Sequence, residues 1–378
     1  MTRLFYMVYK MNKNYTLADV VFPEVGITHI AEDLAEIVEP KLSGRTFLEI
    51  NTSAQPNSKP HLGTVTTIMS AFAVSQHLQD RLCVPVRLTF DALENAPGEQ
   101  VTVDKITYQK SLKDCKVNGV SLAETYMTSF HQLFKYLHER TTIQFLVRSY
   151  DEYQRLSSFR KPLLEMTRRS TEFGPILAPH EKRIRIRFPC PECKYVDKGS
   201  VSTEVIELNE NMAMLKADCF SHGEHRIVLR EDNSDFVDTN TPLREVAKGY
   251  NMAIEARKDK SLPIMIDGSD WSGVWLSRVA YEGITRLGIS YDETAIRFFT
   301  PTITDWSGAK FSKSLYVKTN AYRFLPKSLL DFSAFIQEYE QRGLDMLWKE
   351  VQTWATEPKR FFRNYSVDYF EMLLEDAK

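Results

Sequence analysis

The sequence predicts an α/β fold built on a parallel sheet and interrupted by a cysteine-bearing insertion. Three observations predict it: a strand–helix–strand pattern over residues 46–91, the return of alternating helix and strand patterns beyond Asp235, and two metal-ligand pairs between them, Cys190-x-x-Cys193 and Cys219-x-x-His222. At 378 residues the chain exceeds one ordinary domain, so two domains, or one large domain with an insertion, are expected. A content of 43% hydrophobic and 12% aromatic residues excludes a disordered chain.

Residues 46–51 combine β-branched and aromatic side chains and read as the first strand. A loop with Pro56 and Pro60 follows, then an apolar-rich helix over 61–79, with Pro60 suited to its first turn. Residues 84–91 form the next strand, and this order requires a crossover and hence a parallel sheet. Leu122, Tyr126, Met127, Phe130, Leu133, Phe134 and Leu137 recur at three- and four-residue spacing, which predicts an amphipathic helix before a strand at 142–147. Residues 180–188 alternate charged and apolar side chains as an exposed strand would, and 201–206 and 214–217 are also strand-like. Beyond Asp235 come a helix at 243–256, an apolar strand at 262–267, a helix at 274–287 and a strand at 296–300. The tail is mostly helical, with Leu344, Leu347, Trp348, Val351 and Trp354 on one stripe.

A net charge of −2 provides no global basic field, so any nucleic-acid contact is local. Arg183, Arg185 and Arg187 form a row that would suit an RNA backbone or a solvated strand face. Five cysteines are too few, and odd in number, for a disulfide scaffold, which points to a reducing compartment, with Cys83 and Cys115 as ordinary thiols. Lys10 and Lys13 interrupt the apolar N-terminal patch, so no signal peptide is expected, and no window reaches the roughly 20 apolar residues of a membrane span. A cytoplasmic location is expected.

Two sequence elements carry phosphate chemistry. Pro60-His61-Leu62-Gly63-Thr64 stands at a strand-to-helix junction, where backbone N–H groups and the helix dipole favour an anion; Gly63 allows close approach and His61 is placed to donate to an α-phosphate oxygen. Far down the chain, Lys310-Phe311-Ser312-Lys313-Ser314 offers two lysines in a loop that neutralise a leaving pyrophosphate. Between them, Gly268-Ser269-Asp270 ends an apolar strand at the carboxyl edge where doubly wound sheets bind ligands. The cysteine pairs match zinc-ribbon spacing, with Cys190, Cys193, Cys219 and His222 as ligands to a structural Zn²⁺ and His225 as the alternative fourth ligand.

In this combination the chain resembles the class I aminoacyl-tRNA synthetases, whose signatures are a His-Ile-Gly-His element followed by a Lys-Met-Ser-Lys-Ser loop. Thr64 replaces the second histidine and Phe311 the methionine; that threonine and the zinc cluster make the class I lysyl-tRNA synthetases the most similar branch. The resemblance implies a Rossmann-type, doubly wound catalytic domain over 46–320, interrupted by an insertion at 100–235 that holds a zinc-binding subdomain at about 185–230, with an N-terminal extension over 1–45 and a short helical region over 321–378. It further implies aminoacyl-adenylate formation from ATP and an amino acid, lysine leading, with Mg²⁺ escorting the pyrophosphate. Catalytic roles fall to His61, Lys310 and Lys313; ATP binding to these with Gly63, Thr64, Gly268, Asp270 and Ser312; and amino-acid binding to Asn51, Thr52 and Asp91. Beyond Ser314 the chain has no room for the large helical anticodon-reading domain of the lysyl enzymes, so the acceptor is expected to be a tRNA acceptor end, read without its anticodon, or a small molecule. Two other readings stay open. One is another ATP-dependent ligase of the superfamily, pantothenate-synthetase-like, against which the lysine loop and cysteine cluster argue. The other is a catalytically silent zinc-bearing RNA- or protein-binding module, against which His61, Lys310 and Lys313 argue.

Overall fold

The structure is a computed structural model that describes residues 16–311, Tyr322 and residues 325–377. Five strands, β1 (Phe47–Ala54), β2 (Val86–Ala92), β3 (Gln144–Ser149), β4 (Ser261–Gly268) and β5 (Ile296–Thr300), form one sheet in the order β5-β4-β1-β2-β3. Every neighbouring pair is parallel. This is the doubly wound Rossmann-type order, and it reverses direction between β1 and β4, where such sheets open a crevice at their carboxyl ends.

The two faces of the sheet differ. One carries Leu48, Ile50, Leu88, Phe90, Ile264, Ile266 and Phe298 into the main core, covered by α1 (Leu62–Leu82), α2 (Leu122–Thr141) and the helical segment α4 (Phe332–Thr356). The tail stripe serves this packing: Leu344, Leu347, Trp348, Val351 and Trp354 are all buried, and Trp354 stacks on Tyr365. The opposite face lies under α3 (Thr241–Asp259), where Met252 meets Met265 and Ala295, but it also carries Glu49, Asn51, Ser53, Thr89, Asp91, Arg148, Asp267 and Arg297. A parallel sheet is ordinarily apolar on both faces. Charges here need partners, and their network leads to the site.

Between β2 and β3 a hairpin of Pro97–Val103 and Ile106–Ser111 departs from the sheet and pairs with Tyr195–Asp197. Helices Ser157–Arg168 and Ser170–Leu177 then lead to the cysteine-bearing region. There the antiparallel strands Glu204–Leu208, Met212–Cys219 and Gly223–Arg230 form a separate three-stranded sheet.

Two sequence expectations change. Of residues 180–188, only Ile186–Arg187 is strand, paired with Asp238–Thr239, and the three arginines of the row make contacts within the chain. Arg183 donates to Gly199 O at 2.8 Å, Arg185 pairs with Glu181, and Arg187 pairs with Asp238 at 2.8 Å. The helix expected at 274–287 runs over 274–286, with a wider π-helical segment, Leu276–Tyr281, inside it before the α-helical turn Glu282–Arg286.

Candidate active site and metal centre

α1 begins at the carboxyl end of β1, and its N-cap is His61, whose Nδ1 accepts the N–H of Gly63 at 3.1 Å. In the neutral ring this places the proton on Nε2, 3.4 Å from Thr64 Oγ1. A Cβ on Gly63 would lie 3.1 Å from His61 Cε1, so glycine here gives the imidazole its room. The helix presents its N-terminal N–H groups and positive dipole end at this point.

The later elements close the same cleft. β4 ends in Gly268, where a Cβ would lie 2.7 Å from Asp270 Oδ1, so the glycine lets the Asp270 carboxylate fold back over the strand end. Lys310 Nζ reaches that carboxylate at 2.5 Å. Asp305 shapes the approach to Lys310, with its Oδ1 accepting the N–H groups of Ser307 at 2.8 Å and Ala309 at 3.1 Å. Phe311 is buried, with its ring edge-on to His61 at 5.7 Å and against Tyr322 at 4.9 Å. His61, Gly63, Thr64, Gly268, Asp270 and Lys310 thus line one cleft, joined by Trp271 and Phe311. Ser312 and Lys313 lie outside the described residues.

Asn51, Thr52 and Asp91, the sequence candidates for the amino acid, are buried. Asp91 has a full set of partners. Its Oδ1 accepts from Arg148 at 2.8 Å, and its Oδ2 accepts from Asn51 Nδ2 at 3.0 Å and Lys248 at 3.1 Å. With both oxygens engaged, Asp91 has little left for a ligand and reads as the anchor that fixes Arg148, Lys248 and Asn51. Burial pushes its carboxyl up, but Lys248 and Arg148 outweigh burial and hold the native value below the ordinary one. Beside it, Arg297 on β5 pairs with Glu245 on α3 at 2.6 Å. The sequence reading did not single out Arg148, Glu245, Lys248 or Arg297.

Removing one member of such a buried set strands its partners' charges. Asp91→Ala should cost about 3–5 kcal/mol in urea unfolding. The sign of the pH dependence follows from the lowered native value: Asp91's contribution is fully present above the unfolded carboxyl value and is lost only as pH falls through the native one. The variant's stability should therefore converge on that of the parent in strong acid.

Away from the cleft, Cys190, Cys193, Cys219 and His222 place one ligand atom each within 4.8 Å of one another. Cys193 Sγ lies 3.4 Å from Cys219 Sγ, and His222 Nδ1 lies 3.5 Å from the sulfurs of both Cys190 and Cys219. Four N and S donors converging at such distances fit one tetrahedral ion, whose bonds of roughly 2.0–2.3 Å set ligands slightly under 4 Å apart. Burial raises the Cys219 thiol, but the N–H groups of Ser221 and His222, with the His222 and Cys193 side chains, outweigh burial and lower it to about 7. His225 stands apart: it pairs with Ala217 in the ribbon and sets its ring against Phe188, with neither ring nitrogen hydrogen-bonded.

No protein-family model matches the chain, and no curated protein matches it. Among solved structures the chain is similar to methionyl-tRNA synthetase of Mycobacterium tuberculosis bound by methionyl-adenylate, at 11% identity and a TM-score of 0.43, over 87% of this chain and 68% of that one. It is also similar to a candidate arginyl-tRNA synthetase from Campylobacter jejuni, at 10% identity and a TM-score of 0.32, over 91% and 88% of the two chains. A third is glutamate-tRNA synthetase from Elizabethkingia anophelis, at 11% identity and a TM-score of 0.36, over 87% and 70%. None of the three is a lysyl enzyme.

Proposed function

We propose that this protein activates an amino acid with ATP, forming an aminoacyl adenylate and pyrophosphate. The observation that carries the proposal is the convergence of His61, Gly63, Gly268, Asp270 and Lys310 in one cleft at the point where the sheet order reverses. The triphosphate lies over the N-terminus of α1, close to Gly63, with the ribose toward Gly268 and Asp270. A carboxylate oxygen of the amino acid attacks the α-phosphorus in line; the bond from that phosphorus to the bridging oxygen breaks, and pyrophosphate leaves with the electron pair. The carboxylate is already ionised, so no proton moves. His61 and Lys310, with Lys313 of the same sequence motif, stabilise charge that grows in the transition state, and Mg²⁺ would supply further neutralisation of phosphate charge. Lys310 rests on Asp270 in the structure and exchanges that partner for phosphate oxygens when ATP enters.

Zinc in the Cys190, Cys193, Cys219 and His222 set completes four-coordination without an open position, which makes it structural: it holds the ribbon together and takes no part in the chemical step. Lysine is the leading substrate by the resemblance of the two signatures, and the aminoacyl group passes to a tRNA acceptor end or to a small acceptor. Amino-acid-dependent exchange of labelled pyrophosphate into ATP, measured across a panel of amino acids, tests this reading. Exchange that depends on one amino acid, or a small group of them, is expected; exchange with none of them would overturn it.

A further inference from the structure

One carboxylate in the charged face of the sheet has no partner. Asp267, the residue before Gly268 on β4, is half-buried, and among the described residues its carboxylate makes no hydrogen bond or ion pair. Of its cationic neighbours, Lys248 pairs with Asp91 and Arg297 pairs with Glu245, although the Nε and Nη2 atoms of Arg297 make no hydrogen bond. Burial chiefly, then the charge of Glu245, pushes its carboxyl above the ordinary value, although Lys248 and Arg297 oppose this. Leaving an ionisable group in that state is costly unless a ligand supplies the missing partner.

The strand register places Asp267 beside residues that line the cleft. Arg148, Asp91 and Ser53 stand level across β3, β2 and β1, and continuing the β1–β4 register from Asn51 opposite Met265 brings Asp267 level with Ser53. Ser53 and Gly268 both line the nucleotide cleft. One row deeper lies Asn51, 3% exposed, whose Oδ1 has no hydrogen-bond partner. A half-buried anion with no partner and a buried acceptor with none thus share the β1–β4 switch point, beside the place where the α-phosphate must lie.

We infer that Asp267 holds the α-ammonium of the amino acid, with Asn51 Oδ1 as a second acceptor, so that the adjacent carboxylate faces the α-phosphate. In an α-amino acid the ammonium sits one carbon from the carboxylate, so an anchor for it must adjoin the nucleotide subsite, as Asp267 does. Asp91 serves a different end: with both oxygens engaged, it keeps Asn51 aligned and neutralises Lys248 and Arg148.

The inference rests on the proposed amino-acid activation, and its test separates the two. Pyrophosphate exchange is measured on the parent and on Asp267→Asn, with thermal unfolding of both as a check on the fold, using the best amino acid of the panel and its desamino analogue as a competitor. A lost charge-assisted contact corresponds to roughly 10- to 100-fold. The amino-acid KM of Asp267→Asn should rise by about that factor, with the ATP KM unmoved. The parent should bind the desamino analogue more weakly than the amino acid by a similar factor, and the variant should lose that preference. A parent that exchanges, with an unchanged amino-acid KM in a folded variant, would overturn the anchor and leave the activity standing. Should the variant not fold, the parent decides alone: equal affinity for amino acid and desamino analogue would overturn the anchor, and a marked preference for the amino acid would support it. A parent that exchanges with no amino acid would overturn the activity itself.

Discussion

Lys310→Ala is expected to lower amino-acid-dependent pyrophosphate exchange by about 10²- to 10³-fold, the usual loss when a charge contact made in the transition state is removed. The fold should not suffer. The Lys310 side chain is 50% exposed and its ion pair with Asp270 is a surface contact of a kind that contributes under about 1 kcal/mol. Thermal unfolding should therefore match the parent while exchange falls, and kcat should carry most of the loss. His61 requires a more selective change, because its Nδ1 also caps α1 and a lost N-cap costs about 1 kcal/mol. His61→Asn keeps an oxygen able to accept the Gly63 N–H but removes the imidazole donor. Exchange should fall in His61→Asn nearly as far as in His61→Ala, with stability retained in the first. Full exchange in a folded Lys310→Ala and His61→Asn would remove both residues from the chemistry.

The second large effect is expected at the cysteine cluster. Protein purified without chelator should hold one zinc, and Cys193→Ser should hold none. Binding at a closed four-ligand zinc site is itself folding free energy, on the order of 10 kcal/mol or more for small zinc modules. Loss of the ion should open the ribbon formed by Glu204–Leu208, Met212–Cys219 and Gly223–Arg230, seen as faster amide exchange there, while the five-stranded sheet keeps its protection. His222→Ala should lose the metal and His225→Ala should keep it, because only His222 brings a ring nitrogen within 3.5 Å of the cysteine sulfurs. Metal content near zero in the parent would refute the site.

The β1–α1–β2 unit was legible because its periodicities are strong: β-branched and aromatic residues in the strands, a long apolar helix between them, and Pro60 before the first turn. The cysteine pairs were legible from spacing alone. The helices Ser157–Arg168 and Ser170–Leu177 were not, since Pro162 and Pro175 within them are ordinarily helix breakers. The hairpin from Pro97 to Ser111 was missed because it is polar and only partly buried, without the alternation of a strand that covers a core. The signature residues of the cleft could be named because each sits in a local motif. Arg148, Glu245, Lys248 and Arg297 belong to no motif, and charged residues on strands and helices ordinarily face water; only the order β5-β4-β1-β2-β3 with α3 laid across it brings them together. Asp267 was hidden for a similar reason. Read along the chain it ends an apolar strand, and only its missing partners in three dimensions set it apart.

Which phosphorus is attacked separates this chemistry from that of other ATP-dependent ligases. Attack at the α-phosphorus releases pyrophosphate and leaves AMP on the amino acid, whereas attack at the γ-phosphorus gives ADP and an acyl phosphate. The decisive measurement incubates the protein with ATP, the amino acid identified by exchange, and pyrophosphatase, traps the activated acid with hydroxylamine, and follows nucleotides and hydroxamate by mass spectrometry. AMP and aminoacyl hydroxamate appearing in equal amounts, both lost in Lys310→Ala, is the expected result; ADP as the product, or ATP cleavage that ignores the amino acid, would contradict it.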